Sequence, residues 1–240
     1  KFKNYYNPKI NLIIYYFNKK KILNKINKNI KFSLITSFAM FYDIEDPNKF
    51  CREISYLLEK NGKWILELSY FPLLLENLTY DQICHEHIAY YTLSTFKKIA
   101  NKNNLKILDF NLNNINGGSI EITCSKKNSK FISKNIKINN QINIEKKINS
   151  ISFAKFNQRI DNVKKLLNEF LENNKSKVIG YGASTKGNIV LNHCQINSKK
   201  LKYICDANPF KHNRYTPGSN IKIISKKKMR KIKPKIILVL

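Results

Sequence analysis

The spacing of hydrophobic residues along the chain predicts alternating strands and helices. Short apolar runs rich in β-branched and aromatic residues predict strands at residues 10–17, 32–38, 64–68, 105–112 and 119–125, and we expect the run at 32–38 to be buried. Apolar positions three or four residues apart predict amphipathic helices at residues 19–29, 47–60 and 94–104. We expect Asn61 and Gly62 to cap the second helix. This order of strands and helices, which ends in an antiparallel hairpin, is typical of the second half of a doubly wound α/β domain.

The second half of the chain predicts another α/β unit after a long helix. Residues 126–150 are low in complexity and predict a partly flexible segment. Residues 153–173 predict one helix with a single buried stripe, formed by Phe156, Ile160, Val163, Leu167 and Phe170. Strands are predicted at 177–181, 201–205 and 235–240, with helices at 185–194 and 225–232. We therefore expect an α/β domain over residues 1–125, a helical linker over 126–175 and a smaller α/β domain over 176–240.

The composition adds a strong positive charge, which would normally suggest a nucleic-acid or membrane partner. The 240 residues include 44 Lys and Arg against 16 Asp and Glu, a formal net charge of +28. Four of these 44 are Arg, and Lys, Asn and Ile, whose codons are rich in A and T, are abundant. Because nucleic-acid readers favour Arg for bidentate contacts, we interpret the charge as a solvated Lys surface and disfavour a nucleic-acid partner.

Cysteine usage and apolar run lengths bear on the cellular setting. The five cysteines include no CxxC pair, which argues against a disulfide framework and predicts a reducing, cytoplasmic setting. No apolar run approaches the ~18–20 residues that a membrane helix needs, so we expect no membrane partner. The chain begins at Lys1 rather than Met and stops within an apolar run, which leads us to expect a fragment at both ends.

The densest polar cluster lies at residues 80–91 and holds two of the four histidines. An imidazole with a carboxylate nearby is the usual proton abstractor in enzymes, so His85, Glu86 and His87 suggest general acid–base chemistry. Cys84 and the two histidines are also metal-ligand types, although no second ligand pair follows at finger-like spacing. An ordinary polar loop is the third interpretation.

A glycine-rich segment at residues 180–188 predicts a strand, a tight loop and a helix start. Such a loop can hold an anion through main-chain N–H groups and the helix dipole. Its spacing, GxGxxxxG, departs from the dinucleotide fingerprint GxGxxG, although Asp206 at the next strand end is of the type that holds a ribose hydroxyl. A tight turn with no ligand is the alternative. The glycine pair at 117–118 is explained equally by a ligand or by a hairpin connection.

Six segments taken in order resemble the nucleotide-sugar C-methyltransferases, a branch of the class I S-adenosylmethionine-dependent methyltransferases. The matching segments are residues 35–47, 62–70, 80–91, 116–119, 180–188 and 214–218. The resemblance implies the C-terminal half of a Rossmann-like methyltransferase domain, a helical linker and a second, smaller Rossmann-like domain on the sugar-nucleotide side. It implies zinc only in an N-terminal cysteine module, which this sequence lacks along with the glycine-rich loop after the first strand.

The resemblance also implies a chemistry and a set of site residues. The cofactor would be S-adenosyl-L-methionine, and the substrate a nucleoside-diphosphate 4-keto-6-deoxy sugar that is deprotonated beside its ketone and methylated. His87 would be the base with Glu86 in support, and Phe41 and Tyr42 would meet the cofactor. The implied substrate-binding residues are Tyr80, Cys84, Asn116, Gly182, Ser184, Lys186 and Arg214.

Three other functions remain open at this point. The chain could be a truncated remnant or accessory subunit that binds a sugar nucleotide without catalysis. A basic nucleic-acid-binding protein would reveal itself by a steep salt dependence of binding. A nicotinamide-dependent oxidoreductase would need a complete glycine fingerprint, which does not occur in the sequence.

Overall fold

The computed structural model describes residues 6–7, 9–175 and 177–240, and these contain two four-stranded sheets. The strands are β1 (Phe32–Phe38), β2 (Leu58–Ser69), β3 (Leu105–Asn113), β4 (Ser119–Lys126), β5 (Val178–Tyr181), β6 (Tyr203–Cys205), β7 (Lys222–Ile224) and β8 (Ile236–Val239). The helices are α1 (Lys19–Lys25), α2 (Pro47–Leu57), α3 (Phe71–Glu76), α4 (Leu93–Lys102), α5 (Asn135–Glu145), α6 (Ser150–Asn173), α7 (Thr185–His193) and α8 (Lys226–Ile232). The predicted α/β class is confirmed.

The chain divides into two compact units that do not follow a single cut in the sequence. The first unit holds the chain up to Phe71 together with Ile88–Lys147, and the second holds Pro72–His87 together with Ile148–Leu240. Of the helices in the predicted linker, α5 therefore belongs to the first unit and α6 to the second. The segment Pro72–His87 leaves the first unit after β2 and returns to it before α4, and it carries most of the polar cluster.

The first sheet has the strand order β1-β2-β4-β3. Strands β1 and β2 are parallel, whereas β2–β4 and β4–β3 are antiparallel, which confirms the predicted hairpin. Residues 32–38 form the predicted strand, but the prediction that this strand is buried is wrong. Strand β1 lies at the sheet edge, with Leu34 54% and Phe38 52% exposed. A strand paired on one side only buries its side chains where helices cover it, so apolar composition alone does not decide burial.

Two local predictions in the first unit are wrong. Residues 10–17 form no strand, with bends at residue 10 and residues 15–17, and Tyr16 is 99% exposed. An apolar run becomes a strand only when a sheet edge accepts its hydrogen bonds, and no partner strand pairs with this run among the described residues. Gly62 does not cap α2 but lies inside β2, where the pairing with β1 shifts register. A Cβ at Gly62 would lie 2.7 Å from the Phe32 carbonyl oxygen, so the close strand approach requires glycine.

The low-complexity segment is more ordered than its composition predicts. Within residues 126–150, the helix α5 forms and buries Ile138 to 1% exposure. Lys134 and Lys137 bind the Asp109 carboxylate of β3, with N–O distances of 2.5 and 2.7 Å. Burial works to raise the pKa of Asp109, but its bonds to these two ammonium groups prevail and lower it to about 2. These pairs fix the helix against the sheet.

The second unit contains a fully parallel sheet in the order β7-β6-β5-β8. The three predicted strands correspond to β5, β6 and β8, and β7 is a fourth. Helices α6 and α7 contribute Leu171 and Leu191 to its core. The predicted stripe on α6 holds at Phe156 and Ile160, but Phe170 is 37% exposed and Leu171 is buried in its place. The stripe drifts because 3.6 residues make a helical turn, so the steps of three and four do not stay on one face indefinitely.

Candidate functional site

The polar segment is held to the second unit through Tyr80. Tyr80 begins a short 3-10 turn and is 7% exposed, with its hydroxyl 3.7 Å from the Cys194 thiol and its ring 5.4 Å from that of His193. Burial, aided by the bond to Cys194, raises the pKa of Tyr80. The substrate-binding role predicted for Tyr80 remains a prediction, because its side chain is engaged as an anchor to the end of α7.

A second anchor of the same segment was not singled out as a site residue from the sequence. The guanidinium of Arg159 on α6 donates to the carbonyl oxygens of Leu75 and Glu76 at 3.1 and 2.9 Å, where α3 ends. Planar bidentate donation is a geometry that Lys cannot reproduce. The signal in the sequence was the rarity of Arg itself, since Arg159 is one of four in a chain that otherwise uses Lys.

The candidate catalytic residues Glu86 and His87 come shortly after Tyr80 in the same segment. Cys84 and His87 are partly buried, whereas His85 and Glu86 are exposed. The His87 main-chain N–H donates to the Cys84 carbonyl oxygen at 3.2 Å, which curls the segment into a turn. The part of the chain that the structure describes contains no group of three or more His, Cys, Asp or Glu that could hold a metal ion. The catalytic roles of His87 and Glu86 therefore remain predictions.

Phe41 and Tyr42 lie in a 3-10 turn, Phe41–Asp43, just beyond the carboxyl end of β1. The ring of Phe41 is fully buried, so a cofactor could meet Phe41 only through its main chain. Four aromatic rings surround it, those of Phe50, Trp64, Tyr91 and Phe96. The carbonyl oxygen of Tyr42 accepts the N–H groups of Ile88 and Ala89 at 2.9 and 3.2 Å.

A cavity of about 250 Å³ lies against this turn in the first unit. Met40 and Phe50 contribute to its apolar wall, and its charged lining residues are Glu45, Asp46, Glu53 and Lys49. The Asp46 and Glu53 carboxylates already accept the main-chain N–H groups of Lys49 and Lys19, each at 2.8 Å. Three acidic side chains around one cavity are a distinctive feature in a chain with a net charge of +28. The sequence did not indicate this cavity, because its lining residues Tyr16 and Glu53 lie 37 positions apart and come together only in the fold.

Asn116 lies in the turn between β3 and β4, with a left-handed φ of 53°. Gly117 and Gly118 follow with φ values of 85° and 135°, which glycine adopts without steric cost. The Gly118 carbonyl accepts the Tyr70 N–H at 3.2 Å. The hairpin explanation of the glycine pair therefore holds, and the exposed Asn116 remains a predicted substrate contact of the first unit.

The glycine-rich loop of the second unit is shaped by contacts within the protein. Gly182 has a φ of 98°, and a Cβ there would lie 2.9 Å from the Leu240 carbonyl oxygen. Ser184 caps α7 by accepting the Gly187 N–H at 2.9 Å. The N–H groups of Thr185 and Lys186, in the first turn of α7, have no partner within the helix. The tight-turn interpretation is thus satisfied, and the anion-binding role of Lys186 remains a prediction.

The Asp206 side chain hydrogen-bonds to this glycine-rich loop. Its carboxylate accepts the N–H groups of Ala183 and Asn208, each at 2.8 Å, and the Lys211 ammonium lies at 3.4 Å. Burial pushes the pKa of Asp206 up, but these N–H groups and the ammonium outweigh it and lower the pKa. Both oxygens are engaged with main-chain groups, unlike the residue that binds a ribose hydroxyl in dinucleotide-binding proteins.

The two units divide the predicted site residues between them. The first unit holds Phe41, Tyr42 and Asn116. The second unit holds the other predicted site residues, namely Tyr80, Cys84, Glu86, His87, Gly182, Ser184, Lys186 and Arg214. Arg214 is exposed, and its main chain is fixed by the Ile223 N–H, which donates to the Arg214 carbonyl at 2.8 Å.

Comparison with known proteins decides the family. Residues 114–240, more than half of the chain, match the family model of the C-methyltransferase C-terminal domain. The chain belongs to this C-methyltransferase family. Residues 7–109 match a methyltransferase domain model, so two domain models follow one another along the chain. The predicted membership in a C-methyltransferase family is confirmed.

One curated relative and several solved structures are similar to this family member. C-methyltransferase NovU of Streptomyces niveus is 25% identical over 198 residues, which cover 80% of this chain and 47% of NovU. The chain thus spans about half the length of that relative. Magnesium protoporphyrin IX methyltransferase (ChlM) from Synechocystis PCC 6803 with bound SAH is 10% identical, with a TM-score of 0.33 over 41% of this chain and 47% of ChlM. The M1.HpyAVI–SAM complex is 12% identical, with a TM-score of 0.32 over 94% of this chain and 90% of that chain.

No helix among the residues that the structure describes combines the length and the apolar character needed to cross a bilayer.

Proposed function

We propose that this chain takes part in S-adenosylmethionine-dependent methylation of a carbon in a nucleoside-diphosphate 4-keto-6-deoxy sugar. The observation that carries the proposal is the match of residues 114–240 to a C-methyltransferase domain, together with a histidine and a carboxylate on an accessible segment. A cytoplasmic setting agrees with five cysteines that all remain free thiols.

The first unit offers features that suit the cofactor. Ligands of α/β sheets bind beyond the carboxyl ends of parallel strands, which is where the Phe41–Asp43 turn follows β1. The acidic cavity beside Met40 complements a cationic sulfonium, and Met40 and Phe50 give it an apolar wall. We propose that this cavity and the main chain at Phe41 and Tyr42 hold S-adenosylmethionine, which supplies an electrophilic methyl group when bound.

His87 is the proposed base. An imidazole is the usual proton acceptor in enzymes, and here it would take the proton from the sugar carbon beside the ketone. The electron pair left on that carbon would form the new bond to the methyl carbon as the methyl–sulfur bond breaks and its electron pair stays on sulfur, which gives S-adenosylhomocysteine. His87 would later release the proton to solvent. Glu86 would stabilise the charged imidazolium. Cys84, Tyr80 and Asn116 remain proposed substrate contacts.

The loop of the second unit is the proposed diphosphate site. The N–H groups of Thr185 and Lys186 and the Lys186 ammonium are donors at the positive end of α7. Ser184 and Gly182 would shape this loop rather than donate to the ligand, because the Ser184 hydroxyl already accepts the Gly187 N–H. Arg214, which is exposed, would add a bidentate contact to a phosphate oxygen pair.

The test is methyl transfer by the His87→Ala variant, with His85→Ala as the matched control. Both histidines belong to the same turn, but only His87 is the proposed base. Formation of S-adenosylhomocysteine from S-adenosylmethionine and the sugar nucleotide should be lost in His87→Ala and kept in His85→Ala. Retained turnover in His87→Ala would refute the base, and sugar-nucleotide binding without transfer in the unaltered protein would favour the accessory-subunit alternative.

A further inference from the structure

Glu145, the last residue of α5, is a buried carboxylate with an unusual set of partners. The residue is 6% exposed. Its Oε1 accepts the Tyr70 hydroxyl and the Leu93 N–H, both at 2.6 Å, and its Oε2 accepts the Ser94 N–H at 2.9 Å. Gln141, one helical turn earlier, donates to the Tyr70 oxygen at 2.8 Å. The glutamate therefore lies among uncharged donors in a chain that has 44 basic residues.

The partners of Glu145 supply hydrogen-bond donors to both of its carboxylate oxygens. Leu93 and Ser94 are the first residues of α4, and the N–H groups there have no acceptor within the helix. The positive end of the helix dipole favours an anion at this point. Burial, followed by the bond to Glu145, raises the pKa of Tyr70, so the phenol stays protonated and donates. We call Glu145, Tyr70, Leu93 and Ser94 the Glu145 clamp.

The Glu145 clamp joins the two ends of the segment that carries the candidate base. The chain leaves the first unit after Phe71 and re-enters it at Ile88. Tyr70 precedes the departure, and Leu93 follows the return. The two ends lie side by side, since Tyr70 forms a bridge with Tyr91 and the Phe71 N–H donates to the Tyr91 carbonyl at 3.0 Å. Glu145 hydrogen-bonds to both ends. It lies two residues before Lys147, after which the chain passes from the first unit to the second again.

We infer that Glu145 is a positioning residue that fixes both ends of Pro72–His87 and thereby the placement of His87. The inference rests on the proposed function for the role of His87, but the fixation of the segment can be measured without it. Glutamine cannot replace Glu145, because three donors meet the carboxylate and the amide group of glutamine presents one acceptor oxygen only. At least one N–H or hydroxyl would then face a second donor.

The experiment compares Glu145→Gln with Glu172→Gln in the whole chain. Glu172 is an exposed residue of α6, so its replacement removes the same charge without touching the clamp. Hydrogen exchange should be faster in Glu145→Gln by about ten-fold or more at Leu93 and Ser94, the amides that lose a bond to a charged acceptor. Exchange across residues 72–87 should also be faster, whereas β4 should keep its protection. Tyr70→Phe removes one of the three bonds to Glu145, together with the bond from Gln141, and should show the same changes to a smaller extent.

Turnover separates positioning from general destabilisation. The kcat for methyl transfer should fall about ten-fold or more in Glu145→Gln, with the KM for the sugar nucleotide and the Kd for S-adenosylmethionine near those of Glu172→Gln. Unchanged exchange at residues 72–87 in Glu145→Gln and Tyr70→Phe would overturn the inference. If Glu145→Gln does not fold, Tyr70→Phe decides alone. If the unaltered protein transfers no methyl group, the proposed function fails, and the exchange measurement still supports or overturns the clamp.

Discussion

Replacing Phe41 with Ala should destabilise the first unit far more than replacing its near neighbour Phe38. The Phe41 ring is fully buried, with four aromatic rings at centroid distances from 5.1 to 6.0 Å. Truncating such a core phenylalanine costs about 3–5 kcal/mol. At about 2–4 °C per kcal/mol for a protein of this size, the melting temperature should fall by about 6–20 °C. Phe38, at the exposed edge strand, should change stability by about 0.5 kcal/mol or less.

The single tryptophan makes the measurement selective for the first unit. Trp64 belongs to the same aromatic cluster, with its ring 6.0 Å from that of Phe41, so its fluorescence follows the unfolding of this core. Thermal and urea unfolding of both variants would be compared with the unaltered protein. Equal midpoints for Phe41→Ala and Phe38→Ala would refute the assignment of Phe41 to the core and would favour a ring exposed to a ligand.

Three further predictions concern the second unit. Lys186→Ala should raise the KM for the sugar nucleotide by about 10–100-fold, because a charged donor is lost. The exposed control Lys199→Ala should leave this KM unchanged. Equal KM values for the two variants would exclude the diphosphate role of Lys186. Arg159→Lys should accelerate hydrogen exchange where α3 ends, because Lys cannot donate to two carbonyls in one plane, and Arg52→Lys should have no such effect. Asp206→Asn should destabilise the unit near neutral pH. That loss should shrink as the pH falls below 3.8, the ordinary pKa of the group, because a lowered pKa stabilises only the ionised form; a loss independent of pH would contradict it.

The sequence predicts the elements of the second unit well because its strands alternate with helices that begin at polar caps. Ser184 and Ser225 precede α7 and α8, and both side chains accept a main-chain N–H of the first turn. The same argument fails at residues 10–17, where apolar composition alone suggested a strand. Local composition cannot say whether a sheet edge is available to pair with a run.

Only part of the candidate site can be predicted from the sequence, for a similar reason. The segment with His87 stands out by its residue types, and the comparisons confirm the family that its motifs suggested. Glu145 lies in a low-complexity run and becomes notable only when the fold brings it to Tyr70 and Leu93, residues 75 and 52 positions away. Arg159 reaches α3 across a separation of 83 and 84 residues. Contacts at such separations carry no local signature.

The most direct test of the central claim is whether His87 removes a proton from the sugar. The protein would be incubated in D₂O with a nucleoside-diphosphate 4-keto-6-deoxy sugar and without S-adenosylmethionine, and deuterium entering the carbon beside the ketone would be followed by NMR. We expect exchange in the unaltered protein and in His85→Asn, and a loss of about 100-fold or more in His87→Asn. Exchange in His87→Asn at the rate of the unaltered protein would contradict the account.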